Sequence, residues 1–148
     1  METMKEMMET SIFEVFEKMF YVFLEPDGVE CPDYDAEALV SFSGSMNGKM
    51  SLMLSEKVTK VMVKNMLNLE EEDITDREVE DCSKEAVNMA CGNFLAKLDD
   101  TERFDLSIPV FLNSPRSVLR QGDDTISLNL ISDDGEVGVI MQVFSKGD

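Results

Sequence analysis

The stretch Glu85-x-x-Asn88-x-x-x-Gly92-Asn93 places a carboxylate, an amide and a glycine at intervals of three and four residues. On a helix those intervals stack the three on one face, one turn apart. The chemistry on offer is that of a charge beside a neutral hydrogen-bonding group, both facing outward. A glycine mid-helix costs about 1 kcal/mol against alanine, which makes sense where something must come close to the helix backbone. With Ala86 at the centre of the buried stripe, Val79, Cys82, Met89, Ala90 and Asn93 fall within about 60° of it at roughly 100° per residue. Asp81, Glu85, Asn88 and Gly92 then gather on the opposite side. Asn93 is expected on the apolar side, its amide satisfying neighbouring backbone. A bare E-x-x-N arises on the order of once by chance in a chain so rich in Glu; the nine-residue pattern inside a capped helix is more specific.

Composition removes most other chemistry. The 148 residues contain no His, so imidazole bases, Ser-His-Asp triads, Cys-His dyads and the usual zinc sites are excluded within this chain. The three cysteines, Cys31, Cys82 and Cys91, show no C-x-x-C spacing. On one helix Cys82 and Cys91 would lie about 900° apart and face opposite ways, which reads as small buried thiols in the reduced state. No nucleophile has an activating base beside it, and no metal site is expected. Acidic charge and twelve Met invite an EF-hand reading, but the loop beginning at Asp33 has Ala38 where the calcium cage needs Gly. Thirteen Lys+Arg against 31 Asp+Glu give a net charge of −18, which argues against nucleic acid and anionic lipid as partners. The charged N-terminus and a six-residue apolar run, Met19–Leu24, fit neither a signal peptide nor a membrane span, so a cytoplasmic protein is expected.

Several elements must position the motif. Apolar residues from Met4 through Met7, Met8, Ile12, Val15, Phe16, Met19 and Phe20 to Phe23 predict an amphipathic helix over 3–24, stopped by Pro26-Asp27-Gly28. Residues 38–43 and 49–54 read as two strands around Gly44-Ser45-Met46-Asn47-Gly48, where Asn-Gly is a turn signal. Ser55 opens a second helix to about Asn68, with Val58, Val61, Met62, Met66 and Leu69 turned inward. Lys57, Lys60 and Lys64 line its other face, either a solvated face or a dock for an acidic partner. Glu70-Glu71-Glu72-Asp73 reads as a loop. Thr75-x-x-Glu78 is a capping box that opens the motif helix, about 76–98, with the Thr75 hydroxyl accepting from the Glu78 N–H. Residues 105–112 contain Pro109 and read as an edge strand. Thr125–Ser132 turns at Asp133-Asp134-Gly135 into Val137–Phe144. The order is α-β-β-α-α followed by three or four strands, which gives an α+β fold with three helices packed on a mostly antiparallel sheet. Residues 1–148 read as a single domain.

At this point the sequence resembles the CheC/CheX/FliY family of chemotaxis phosphatases, which carry an E-x-x-N-x-x-x-G-N helix and remove the aspartyl phosphate of the response regulator CheY. The likeness covers nearly the whole chain: a leading helix, the strand pair from Phe42-Ser43-Gly44 through Gly48-Lys49-Met50-Ser51-Leu52, a short helix, the motif helix and a Ser107-Ile108-Pro109 entry to the last strands. CheC-type members usually carry two motifs, and a single one here resembles CheX, whose relatives are homodimers. The resemblance implies that Asn88 holds a water in line with phosphorus, that Glu85 pairs with the receiver's active-site Lys, that Gly92 leaves room for the partner's loop and that Asp81 stands at the rim. It implies no cofactor of this chain's own, with magnesium on the receiver. The other function open to the same fold is a non-catalytic docking module for a receiver or a flagellar-switch partner. Lys84 stands before Glu85 where relatives often have Gly, placed to offset part of the Glu85 charge.

Overall fold

The computed structural model describes residues 3–26, 33–98, 103–117 and 124–145. Helix α1 spans Met4–Phe20; Thr3 caps it, its hydroxyl accepting from the Glu6 N–H at 3.1 Å. The helix ends earlier than its apolar spacing predicts. Tyr21 takes the left-handed conformation (φ 57°) and the Val22 N–H reaches back to the Phe16 carbonyl at 3.0 Å, closing the last turn. Val22 is therefore buried while Tyr21 and Phe23 point outward. A two-residue strand that the sequence did not reveal, β1 (Glu25–Pro26), follows.

Strands β2 (Ala36–Ser43) and β3 (Asn47–Leu54) form the expected hairpin, but the bend lies at Gly44–Met46: Asn47 and Gly48 open β3 without a positive φ, and Asn47 Oδ1 accepts from the Gly44 N–H across the turn. Helix α2 (Glu56–Leu67) starts at Ser55, whose hydroxyl accepts from the N–H groups of Val58 and Glu136. That one oxygen ties the helix start to the last hairpin. Glu71–Asp73 form a single 3-10 turn where a loop was expected, and α3 covers Asp76–Leu98. The strand expected over 105–112 is two short ones, β4 (Asp105–Leu106) and β5 (Val110–Leu112), separated at Pro109 and both paired to the outer side of β2. Strands β6 (Thr125–Ser132) and β7 (Gly135–Ser145) close the chain. All pairings are antiparallel, in the order β1-β6-β7-β3-β2-β4, with β5 also on β2.

Strand alternation decides which side the helices cover. Ala38, Val40, Phe42, Met50, Leu52, Leu54, Leu128, Leu130, Val137, Val139 and Met141 join one apolar cluster with Met8, Ile12, Phe16, Met62, Ala86, Val87 and Phe94 of the helices. The other side carries Glu37, Ser51, Met53, Thr125, Ser127 and Ile140, which are also buried. Part of their cover comes from Tyr34, whose hydroxyl hydrogen-bonds Asn129 Oδ1. A Cβ at Gly138 would lie 2.6 Å from that hydroxyl, so only glycine admits the ring. Further cover comes from residues 116 and 117, held by Glu37: its carboxylate accepts from the Arg116 and Ser117 N–H groups (2.8 and 3.0 Å) and from the Ser117 hydroxyl (2.6 Å). Burial raises the Glu37 pKa, but those Ser117 and Arg116 hydrogen bonds outweigh it and hold the carboxyl below its ordinary 4.5. Cys31 lies outside the described residues.

Candidate functional site

The motif helix is clamped before it presents anything. At its start the capping box forms in one direction: the Glu78 carboxylate accepts from both the Thr75 N–H and the Thr75 hydroxyl at 2.8 Å. The hydroxyl thus donates to Glu78 rather than accepting from its N–H as the sequence suggested. The Thr75 N–H and hydroxyl hold the Glu78 carboxyl below its ordinary range. From there α3 packs against α1, α2, β2 and β3, so its buried arc is wide: Cys82, Ser83, Ala86, Val87, Ala90, Cys91, Phe94 and Leu95. At 100° per residue that arc centres about 70° from Ala86 toward Val87. Met89 leaves the core as a result, while Val79, inside the arc, sits in the first turn of the helix. Met89, expected in the core, is 44% exposed, and Val79 is only partly buried.

The rotation leaves Glu85 almost diametrically opposite the core. Asp81 and Glu85 are exposed and Asn88 is half-buried, and among the described residues none of the three has a hydrogen-bonding or ionic partner. Lys84 does not offset Glu85. Its ammonium pairs with Glu80 one turn back, at 2.8 Å, which leaves the Glu85 charge uncompensated. Around Gly92 an added Cβ would meet nothing within 4 Å, so no packing inside the chain requires the missing side chain. The face that the sequence grouped (Asp81, Glu85, Asn88, Gly92) is therefore one continuous surface of free polar groups beside open space.

Behind it the thiols are inert. Burial pushes Cys82 up to about 11, with the Asp81, Glu78 and Glu85 carboxylates adding to it, and burial alone pushes Cys91 up to about 12. Both stay protonated at neutral pH and neither can serve as a thiolate nucleophile.

Asn93 does something other than the expected backbone satisfaction. Its Oδ1 accepts from the buried Ser11 hydroxyl at 3.2 Å and its Nδ2 donates to Glu14 at 3.3 Å, while Lys97 reaches the same Glu14 oxygen at 3.1 Å. The Lys97 hydrogen bond, opposed by partial burial and helped by Asn93, holds the Glu14 carboxyl below its ordinary value. Both ends of the Asn93 amide are thus spent on α1, and the motif helix is fixed against it.

The remaining candidates fall away from this face. Of the basic stripe on α2, Lys57 donates to the Asp133 carbonyl and Lys60 pairs with Glu56 and Glu71, so Lys64 alone of the three lacks a partner among the described residues. A cleft lined by Asp35, Glu56, Lys60, Thr75, Asp76 and Phe111 opens on the Val79 flank of α3, away from Glu85. Among the described residues no group of three acidic or thiol side chains could hold a metal ion, and no helix is long and apolar enough to cross a membrane.

The family model of the chemotaxis phosphatase CheX matches residues 37–126, from β2 into β6 with all of α3 between. The chain belongs to the CheX chemotaxis phosphatase family. Solved CheX structures have its fold. The CheX of Vibrio vulnificus is 22% identical with a TM-score of 0.79 over 97% of this chain and 100% of its own. The CheX of Desulfovibrio desulfuricans is 20% identical with a TM-score of 0.77 over 95% and 99%. A complex of CheX, CheY, BeF3 and Mg2+ from Borrelia burgdorferi contains a chain 17% identical with a TM-score of 0.72 over 93% and 96%. No curated protein sequence matches this chain. The α+β fold of the CheX phosphatases is thus the one that the motif and the element order predicted.

Proposed function

We propose that this CheX-family phosphatase hydrolyses the aspartyl phosphate of a CheY-type receiver from the exposed face of α3. The observation that carries the reading is that Glu85 and Asn88 face outward without partners in the described chain, beside the open space at Gly92. Borrelia burgdorferi CheX, of the same fold, forms a complex with CheY, BeF3 and Mg2+, and a beryllofluoride on an aspartate stands in for its phosphoryl group.

Asn88 presents a carbonyl oxygen and an amide N–H2 that accept from and donate to one water molecule without titrating at neutral pH. Held in line, the water oxygen attacks phosphorus, the bond from phosphorus to the aspartate oxygen breaks, and inorganic phosphate leaves a regenerated carboxylate. Phosphoryl transfer runs through a loose transition state in which positioning and charge carry most of the catalysis, and positioning alone can be worth several kcal/mol. Magnesium belongs to the receiver, where it neutralises the phosphoryl oxygens, and no cofactor is assigned to this chain. Glu85 pairs with the receiver's active-site Lys. Exposed, such a pair is worth about 0.2–1 kcal/mol, and more once docking excludes water. Gly92 gives the partner's loop its clearance and Asp81 stands at the edge of the contact. The same family likeness supports a cytoplasmic homodimer of single domains, each chain spanning residues 1–148; sedimentation at micromolar concentration then gives about twice 16.7 kDa.

The test is the decay of a phosphorylated CheY-type receiver of the same organism, in magnesium, with and without the protein. Acceleration that Asn88→Ala abolishes, with affinity kept, is the expected result. Binding without acceleration would make the face a docking surface and the protein a non-catalytic module.

A further inference from the structure

The chain contains twelve methionines, and of those described only two are exposed: Met66 (40%) and Met89 (44%). The sequence turned both inward. Neither belongs to the buried apolar cluster. Their positions are not scattered. Met89 follows Asn88 directly and lies one turn after Glu85. Met66, from the end of α2, rests its sulfur 3.8 Å from the Cys82 thiol, which donates to it and lies one turn before Glu85. Two long apolar side chains, from two different helices, thus lie along one flank of the unpartnered carboxylate.

In a chain of net charge −18 with the rest of its described methionines sheltered, this pairing has no explanation in the fold. Each thioether keeps much of its area in water, and covering that apolar area on docking is favourable. Unbranched thioethers also adapt to uneven surfaces. We infer that Met66 and Met89 form an apolar rim that seats the phosphorylated receiver beside Glu85 and Asn88, and that they set affinity and receiver choice without touching the reacting atoms. The occupant follows from continuity: a receiver that brings a phosphoryl group to Asn88 and pairs with Glu85 reaches the flank of α3 along which Met89 and, against Cys82, Met66 lie. Covering them removes water from the Glu85 ion pair, which strengthens it. This inference rests on the proposed phosphatase reading and names the docking determinants of that same face.

The experiment measures steady-state dephosphorylation, and separately binding of the Mg2+- and BeF3-treated receiver, for wild type, Met66→Ala, Met89→Ala and the double variant. Both side chains are substantially exposed, so truncation leaves no internal cavity, and thermal melting checks that the fold is kept. Each single variant is expected to raise KM and the Kd of the BeF3-treated receiver about three- to ninefold, with kcat within about twofold of wild type. Met89→Leu, which restores apolar volume, is expected to recover most of the loss. Wild-type turnover with KM and Kd unmoved in the double variant overturns this inference and leaves the phosphatase reading standing. A fall in kcat at constant KM overturns it too, since the rim would then act on chemistry. A wild type that neither binds nor dephosphorylates any receiver fails the functional reading itself, and this one with it.

Discussion

Asn88 and Asn93 stand five positions apart on α3 and, at about 140° of rotation, face away from each other. Asn93 spends its amide on Ser11 and Glu14 of α1, whereas Asn88 has no partner in the described chain. One amide anchors the helix and the other is left free by that anchoring.

Gly92→Ala separates stability from function. An added Cβ meets nothing within 4 Å, so the variant should gain about 0.5–1 kcal/mol in urea unfolding from helix propensity and a stiffer unfolded chain. The same methyl group enters the clearance assigned to the partner, and receiver dephosphorylation should fall. A more stable protein with undiminished turnover would remove that role from Gly92.

Glu85→Ala should leave the fold alone, because the carboxylate has no partner among the described residues. Its unfolding free energy is expected within about 0.5 kcal/mol of wild type. Binding of the BeF3-treated receiver should weaken by about two- to tenfold, the range of an ion pair that is partly desolvated. Isothermal titration reads this directly, and unchanged affinity would end the pairing assigned to Glu85.

Asn93→Ala should act the other way, on stability first. It strands the fully buried Ser11 hydroxyl, which costs roughly 1–3 kcal/mol. Asn93→Asp keeps an acceptor for Ser11 but sets a second carboxylate against Glu14, so it should be destabilised at pH 7 and recover part of the loss as the pH falls into the carboxyl range. Urea midpoints at pH 7 and near pH 4 distinguish the two variants.

Glu37 gives stability a defined acid limit. Its folded pKa is depressed below 4.5, so its contribution is fully present above that value and is lost as the pH falls through the lower folded pKa. Glu37→Gln should lower stability at neutral pH by about 2 kcal/mol, because it weakens charge-assisted bonds to residues 116 and 117. It should also flatten the decline below about pH 4.5. Thermal melts of both proteins from pH 7 to pH 3 measure the two slopes, and parallel slopes would show that the Glu37 charge is not what holds that segment.

Much of this could be read in advance because local rules carry it. The intervals of Glu85, Asn88 and Gly92 fix their common face for any α-helix, the Thr75–Glu78 pair fixes where that helix starts, and Asp133-Asp134-Gly135 marks the tip of the last hairpin, whereas Asn47-Gly48 opens β3 instead of turning. The lack of His narrows the chemistry whatever the fold. What the sequence could not supply is how many neighbours a helix has. A stripe centred on Ala86 assumes one packed side, but α3 touches α1, α2 and the sheet, and that wider burial rotates the core toward Val87 and turns Met89 outward. Likewise Met66 follows an inward helical period, yet α2 ends one residue later and leaves it 40% exposed at the edge of Cys82. Lys84 looked ready to neutralise Glu85 and pairs with Glu80 instead, because Glu80 lies one turn back at i−4. Periodicity along one chain gives a face its members. Only the packing of other elements around it decides which members stay in water, since burial depends on contacts between segments far apart in sequence.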